Sequence, residues 1–390
     1  MKIGINASFL RKPGTGIGQV TYNVLRTLVS PSQGAAIHEF FLYCEEQPKL
    51  DFVLPKNFHI RVFLPWWKRD DLIRKMLWEK QVVKEALQDG CAVFLSLYQS
   101  STVMPKNIRH TMFVHDLVPR LFPQYRSNMR QTIHWKRIEK GIRAADHIIA
   151  ISNNTQNDLV RELNIAREKI LVVYLDANPQ FHETVSRERM ADVLKKYDLA
   201  AGYIYHGGGL EIRKNTETLL RAYAALRAKN QKAGIMNQAN AAIPPLVISG
   251  KIFDETNKLA TDVEGLIREL RLQDSVRLLG FVPDADLPAL YAGALFFVYP
   301  SLYEGFGLPV LEALRMRVPV LSSNSSSLPE VGGTAALYTD PKNVSEMTRQ
   351  MEHLFSDASL RQTLVSQSSP QATRFSWAQC VQKTLAILME

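Results

Sequence analysis

Leu295-Phe296-Phe297-Val298-Tyr299-Pro300-Ser301-Leu302-Tyr303-Glu304-Gly305-Phe306-Gly307-Leu308-Pro309-Val310-Leu311-Glu312 reads as one strand, one loop and the start of one helix. Leu295–Tyr299 is apolar throughout, which fits a strand covered on both faces, as in a parallel sheet. Pro309 suits the first turn of a helix, where its missing N–H costs nothing, so a helix is expected over Leu308–Arg315. Glu304 then falls in the loop and Glu312 on the helix. Gly305 and Gly307 let the backbone come near a ligand, and a carboxylate close to a helix N-terminus is stabilised as an anion. Glu304 is therefore a candidate to accept hydrogen bonds from a polyol or to balance positive charge. A turn with two solvated carboxylates is the bland alternative.

The same strand–loop–helix unit recurs on both sides of this stretch. In the N-terminal half, strands are expected at Lys2–Ile5, Phe40–Tyr43, Ile60–Phe63, Ala92–Leu95, Thr111–Val114, His147–Ile151 and Lys169–Val173. Helices are expected over about Gln19–Leu28, Asp70–Gln88 and Asn128–Ala144, and another behind an N-cap at Ser152. A second series holds strands Tyr203–Tyr205, Leu246–Ser249, Val276–Leu279, Leu295–Tyr299 and Val318–Leu321, with helices between them and three more to the end of the chain. Alternation of this kind predicts an α/β protein with two Rossmann-like parallel sheets. The expected division is a domain over 1–175, a linker over 176–200, a second domain over 201–372 and a final helix over 373–390. Ligands on open α/β sheets sit beyond the carboxyl ends of the strands, so the active site is expected in a cleft between the two domains. Lys229–Pro245, rich in Ala, Asn, Gln and Pro, is expected to be an exposed loop.

Composition agrees with a globular chain of this size. There are 390 residues, 46% hydrophobic and 22% charged, with 47 Lys and Arg against 38 Asp and Glu, a formal charge of +9. Such a length exceeds what a single core usually fills, so two domains are the prior. Cys44, Cys91 and Cys380 are odd in number and contain no CxxC, which argues against a disulfide framework or a cysteine zinc site and for reducing cytoplasm. Met1-Lys2-Ile3-Gly4-Ile5-Asn6 turns polar too early for a signal peptide. No apolar run approaches the roughly 18 residues of a membrane span.

Three other segments carry candidate chemistry. Gly14-Thr15-Gly16-Ile17-Gly18 follows the first strand and opens a helix, so free N–H groups there suit a phosphate or a sugar hydroxyl. The spacing is neither the dinucleotide fingerprint nor a Walker loop, and an ordinary tight turn would read the same way. His115 stands at a strand end, titratable near pH 7, with Asp116 beside it either to orient the imidazole or to cap a turn. His206-Gly207-Gly208-Gly209-Leu210-Glu211-Ile212-Arg213-Lys214-Asn215 follows the first strand of the second domain. Arg213 offers a fixed fork and Lys214 a point charge for phosphate oxygens, with Asn215 expected to cap the next helix. A surface turn with two solvated cations is the alternative. The serine run Ser322–Ser327 offers hydroxyls and N–H groups to a phosphate as well.

Taken together these residues resemble the retaining, nucleotide-sugar-dependent glycosyltransferases of GT-B architecture called family 4, with a mannosyltransferase-like cast. Glu304 and Glu312 match its E-x7-E motif, and Phe375-Ser376-Trp377 resembles the start of its final crossover helix, which returns to the N-terminal domain. The resemblance implies that Arg213 and Lys214 bind the donor diphosphate, that Glu312 hydrogen-bonds the ribose and that Glu304 contacts the donor sugar. It implies that His115 contacts the sugar, that Gly14, Gly16 and Gly208 approach sugar or phosphate, and that backbone at Gly305, Phe306, Gly307 and Leu308 wraps the nucleotide. One departure is local: where many members carry an arginine of a G-R-x4-K pattern, this chain has Gly209. The family needs no metal or other cofactor, and no Asp-x-Asp pair stands at a strand end. The implied reaction moves a hexose, mannose favoured, from a nucleoside-diphosphate sugar, GDP-mannose favoured, with retention. The implied acceptor is a glycan or a polyprenyl-diphosphate-linked glycan in surface polysaccharide or lipopolysaccharide synthesis. The alternatives are a sugar-nucleotide epimerase of the same fold and a non-catalytic nucleotide-sugar-binding protein. If Glu304 is open to the cleft, replacing it should abolish transfer at little cost to stability.

Charge leaves one further expectation. Pro119–Arg143 holds seven Lys or Arg against Glu139 alone, a net of +6, and Pro65-Trp66-Trp67-Lys68-Arg69 adds aromatic and basic character. That mixture fits peripheral contact with anionic lipid on the inner face of the cell membrane. The alternative is a helix facing water. The basic residues lack the aromatic interleaving of a nucleic-acid platform, so nucleic acid is not an expected partner.

Overall fold

A computed structural model describes residues 1–30, 37–64, 71–232, 242–251 and 257–390. The Pro65–Arg69 segment and most of the expected 229–245 loop lie outside the described residues, and the helix before that loop runs Thr216–Lys232. The chain forms two compact units, Met1–Leu175 with Phe375–Glu390, and Asp176–Arg374.

The first unit is built on seven strands: β1 (Lys2–Asn6), β2 (Glu39–Cys44), β3 (Phe58–Val62), β4 (Val93–Ser96), β5 (Arg109–Val114), β6 (His147–Ala150) and β7 (Ile170–Val172). They pair in the order β3-β2-β1-β4-β5-β6-β7, all parallel. Every residue of β4 is buried, the pattern of a sheet covered on both faces. The helix Trp377–Met389 packs beside Gly16–Leu28. The Arg109 guanidinium donates to the Leu388 carbonyl at 2.6 Å, and Tyr174 meets Phe375 edge-on at 5.5 Å.

The second unit holds β8 (Tyr203–His206), β9 (Leu246–Ser249), β10 (Val276–Gly280), β11 (Ala294–Tyr299), β12 (Val320–Ser323) and β13 (Ala336–Thr339). Their order is β10-β9-β8-β11-β12-β13, again all parallel. Strand order reverses at the β8–β11 pair, the switch point where open α/β sheets bind ligands. Two loops distant in sequence, after His206 and after Tyr299, thus leave adjacent strand ends. The sequence reading lacked β13, a four-residue edge strand with a single partner and two half-buried residues, too short for its alternation to register.

Residues 176–200, expected as a linker, fold into the second unit. Phe181 is buried edge-on against Tyr291 at 5.7 Å. The helix Arg187–Lys196 is tied down by Asp286, whose carboxylate accepts from Arg189 at 2.8 Å, Lys196 at 2.6 Å and Tyr197 at 2.9 Å. Asp284 and Asp286 form an Asp-x-Asp pair beyond β10, and in Asp286 that pair serves as an anchor. Polarity here marked a charged seam within the second unit.

Asn215 also departs from expectation. It adopts φ 60°, and its amide donates to the carbonyls of Pro300, at 3.0 Å, and Pro341, at 2.7 Å. Its Oδ1 accepts from the Thr218 hydroxyl at 2.8 Å. The side chain therefore clamps three loops together instead of serving only its own helix. Leaving two buried carbonyls without donors should cost about 2–4 kcal/mol. Asn215→Ala and Asn215→Asp, the latter isosteric but lacking the N–H pair, should both lower the unfolding free energy by that amount, read as a fall in the urea midpoint. An unchanged midpoint would show that the clamp contributes nothing.

Candidate active site

The switch point of the second unit gathers the expected cations and the first glutamate into one buried cluster. Glu304 Oε1 accepts from Lys214 Nζ at 2.8 Å, from the Tyr299 hydroxyl at 2.9 Å and from Ser301 Oγ at 2.6 Å. Its Oε2 lies 2.9 Å from Arg213 Nη1. Lys214 Nζ also donates to the Tyr299 hydroxyl at 2.8 Å, and Arg213 Nη1 donates to the Tyr303 carbonyl at 2.5 Å. Glu304 is 8% exposed. Burial by itself would push its carboxyl up, but the charges of Arg213 and Lys214, with hydrogen bonds from Lys214 and Ser301, outweigh it and hold the group at about 2. Burial pulls the Lys214 ammonium down, with Glu304 opposing. Glu211 adds a second carboxylate 3.7 Å from Arg213.

The loops are braced so that the cluster needs little rearrangement. Ser326 Oγ accepts the Glu304 N–H at 2.8 Å, and Ser327 Oγ donates to the carbonyls of Glu304, at 2.9 Å, and Phe306, at 2.6 Å. Ser323 Oγ donates to the Ser301 carbonyl at 2.6 Å. The serine run, expected to ring a phosphate, instead spends these hydroxyls on the glutamate loop. His206 is buried between the two strands. Its Nδ1 donates to the Val298 carbonyl at 3.0 Å, which leaves Nε2 to accept from the Thr216 hydroxyl at 3.1 Å. Burial lowers its pKa to about 4, so it is a neutral strut.

The glycines divide by their surroundings. Gly307 has φ 118°, and a Cβ there would meet Leu328 Cδ2 at 2.7 Å. Gly208, at φ 105°, would place a Cβ 3.3 Å from Pro309 Cγ, so the two loops touch. Gly209 has φ 95° with nothing within 4 Å of a Cβ. Gly305 and Phe306 are buried, and Leu308 opens the helix Leu308–Arg315. Glu312 on that helix is 9% exposed and accepts from the Tyr291 hydroxyl at 3.0 Å. Burial raises it to about 7, against the Tyr291 hydrogen bond. It does not join the Glu304 cluster by any direct hydrogen bond or ion pair among the described residues.

In the first unit, Gly14 and Gly16 are exposed with nothing within 4 Å of a Cβ, and neither has positive φ. The protein's own packing does not demand glycine at either. It does at Gly18, where a Cβ would lie 1.9 Å from the Lys12 carbonyl oxygen. His115 is 5% exposed; its Nε2 donates to the Leu97 carbonyl at 2.8 Å, and its backbone N–H donates to Gln99 Oε1 at 3.1 Å. Burial lowers its pKa, with Leu97 and Asp116 opposing. The neutral ring therefore presents Nδ1 as an acceptor, with no partner among the described residues. Asp116 caps its turn, accepting the Val118 N–H at 2.9 Å, and does not hydrogen-bond the imidazole. Sequence reasoning missed Tyr299, Tyr291 and Gln99. The tyrosines carried a signal, since a buried phenol needs a polar partner.

Residues 198–369 match the family model described as Glycosyl transferases group 1, and residues 14–175 match Glycosyltransferase Family 4. The chain is 35% identical to O-antigen chain mannosyltransferase B of Escherichia coli over 70% of this chain and 68% of that protein. It is 34% identical to Serotype-specific mannosyltransferase WbdA of Escherichia coli over 68% of this chain, but that match spans only 31% of the relative's length. Its fold superposes on WaaG, a glycosyltransferase involved in lipopolysaccharide biosynthesis, with TM-score 0.74 and 14% identity over 100% of this chain and 99% of that one. The likeness shows the shared GT-B fold.

Glu304 is buried between two cations, so removing its charge should cost stability after all. Glu304→Gln should lose about 3–5 kcal/mol by leaving buried cations uncompensated. The pH dependence separates the two glutamates. Glu304, held at about 2 against an ordinary 4.5, stabilises the fold above pH 4.5 and stops doing so as pH falls towards 2. Glu312, raised to about 7, contributes fully below pH 4.5 and loses that contribution as pH rises from 4.5 to 7. Urea midpoints across pH should lose the acid limb in Glu304→Gln and the upper limb in Glu312→Gln; unchanged limbs would refute the assignments.

Proposed function

The chain belongs to the group 1 glycosyl transferases of glycosyltransferase family 4, and from that premise we propose that it transfers mannose from a nucleoside-diphosphate mannose, GDP-mannose favoured, to a glycan acceptor in O-antigen or related lipopolysaccharide synthesis. The observation that carries this reading is the Arg213–Lys214–Glu304 cluster at the β8–β11 switch point. Departure of a nucleoside diphosphate leaves growing negative charge on its oxygens. Two cations fixed and oriented at a strand-end site meet that charge with little reorganisation. The proposal needs no metal or other cofactor. Glu304 keeps the cations apart and oriented until the diphosphate competes for them, and its remaining role is to accept from donor hydroxyls. Glu312, raised to about 7 by burial, would accept a hydrogen bond from a ribose hydroxyl. His115 Nδ1 offers an acceptor to a sugar hydroxyl. Retention of anomeric configuration is proposed from family membership. The relatives' names support mannose and O-antigen synthesis.

A thermal-shift panel of GDP, UDP, ADP, TDP and CMP should give its largest shift with GDP. Arg213→Ala and Lys214→Ala should each reduce transfer by about 10²–10³-fold, and NMR of the product should show the donor's anomeric configuration. No shift with any nucleotide would overturn the proposal.

The proposal extends to the inner face of the membrane. No helix among the described residues is long and apolar enough to cross a bilayer. The helix Met129–Ala144 carries Met129, 78% exposed, and Ile133, 46% exposed, in line with exposed Lys136, Arg137 and Lys140. Positions i, i+4, i+7, i+8 and i+11 share one helical face. Glu139, the opposing acid, lies 3.9 Å from Arg120 and 3.8 Å from Arg143. Such a stripe suits an anionic headgroup layer. The chain should float with vesicles containing anionic lipid and not with neutral ones, and Met129→Ser with Ile133→Ser should reduce flotation several-fold. Equal, negligible flotation with both vesicles would remove the membrane contact.

A further inference from the structure

The residues that open the second unit grip the Glu312 helix at two points. Asp176, the first of them, is 2% exposed. Its Oδ1 accepts from Arg315 Nη2 at 2.9 Å and from the Ala177 N–H at 2.7 Å, and its Oδ2 lies 3.3 Å from His182 Nε2. A buried carboxylate is tolerated only when it is paired and hydrogen-bonded, and this one is held at both oxygens. Arg315 closes the helix Leu308–Arg315, where a cation suits the negative end of the helix dipole. Glu312 stands three residues before it, on the same helical face.

The second grip lies a few residues on. The turn Pro179–His182 packs against the same helix. From that turn Phe181, which is buried, meets Tyr291 edge-on at 5.7 Å. Tyr205 of β8 and Phe297 of β11 each stand 5.0 Å from the Tyr291 ring, so Phe181 adds a wall that the strands do not supply. The Tyr291 hydroxyl reaches Glu312 Oε2 at 3.0 Å and stands 3.4 Å from the Pro309 carbonyl. One segment thus holds the end of the helix through Arg315 and the carboxylate of Glu312 through Tyr291. Buried ion pairs add little net stability, because desolvation offsets their attraction, and fixing one arrangement is their best-attested use. A hydrogen bond lapses beyond about 3.5 Å, so a helix displaced by about 1 Å would lose contacts made by Glu312.

We propose that Asp176 and Phe181 are positioning residues that place the Glu312 carboxylate for the nucleotide ribose, Asp176 through Arg315 and Phe181 through Tyr291. The inference rests on the ribose reading of Glu312 and adds the residues that set its position. The Arg213–Lys214–Glu304 cluster is built from other side chains, so the loss of either positioning residue is felt at the ribose and not at the diphosphate.

Titration calorimetry on the full chain at pH 8, where Glu312 is ionised, compares GDP with 2′,3′-dideoxy-GDP, which lacks both ribose hydroxyls. The wild-type chain should bind GDP at least tenfold tighter than the dideoxy form, the scale of a hydrogen bond to a charged group. Asp176→Asn, isosteric but uncharged, and Phe181→Leu should each weaken GDP at least fivefold while affinity for the dideoxy form changes less than twofold. Glu312→Ala should lose the same preference, and adding Asp176→Asn to it should change GDP affinity less than twofold. A general loosening of the fold would weaken both nucleotides alike. Phe181→Leu reads the proposal even if Asp176→Asn fails to fold. A preference for GDP unchanged in both variants, or both nucleotides weakened equally, would overturn this inference alone. Equal binding of the two nucleotides by the wild-type chain, or no binding of GDP, would overturn the nucleotide reading beneath it and this inference with it.

Discussion

The carboxylate of Glu304 between Arg213 and Lys214 is the interaction on which the second unit's site depends. Two cations brought from the end of β8 would repel one another in a site this dry. One carboxylate from the end of β11 holds both, 2.9 Å from Arg213 and 2.8 Å from Lys214. That arrangement exists only because parallel strand order reverses between β8 and β11, which lets two loops some ninety residues apart leave neighbouring strands. A buried ion pair is weak support for a fold, since desolvation offsets much of its attraction. Here its value lies in pre-organisation: the cations are desolvated and oriented before any phosphate arrives.

The surroundings serve that arrangement. Tyr299 places its hydroxyl between ammonium and carboxylate, Ser326 and Ser327 fix the loop backbone, and Asn215 clamps the turn to the carbonyls of Pro300 and Pro341. The first unit follows another rule. Its buried acids Glu45 and Glu79 are satisfied within the protein, whereas Arg126 Nε, His134 Nδ1 and Trp135 Nε1 have no hydrogen-bond partner among the described residues.

Much of the fold was legible because both sheets are parallel and covered. Strands such as Phe40–Tyr43 and Leu295–Tyr299 are continuous apolar runs, and Ser152, Ser186 and Ser376 each accept a backbone N–H at a helix start. The errors share a cause. Residues 176–200 read as a linker because their polarity was taken for solvation, when Arg189 and Lys196 were spent on Asp286. The serine run read as a ligand cradle because hydroxyls do not declare their partners. Glu304 read as open to solvent for the same reason.

The sequence by itself determined which residue types stand at the strand ends: glycines, Arg213 with Lys214, and two glutamates eight residues apart. Local rules reach that far, because periodicity, helix starts and motif spacing depend on near neighbours. Only the tertiary structure decided that Glu304 is buried against both cations and held at about 2, while Glu312, one helical segment away and facing Tyr291, is raised to about 7. Two identical side chains diverge because ionisation follows the charges and solvent around a group, and those come from strands that meet only after the chain has folded.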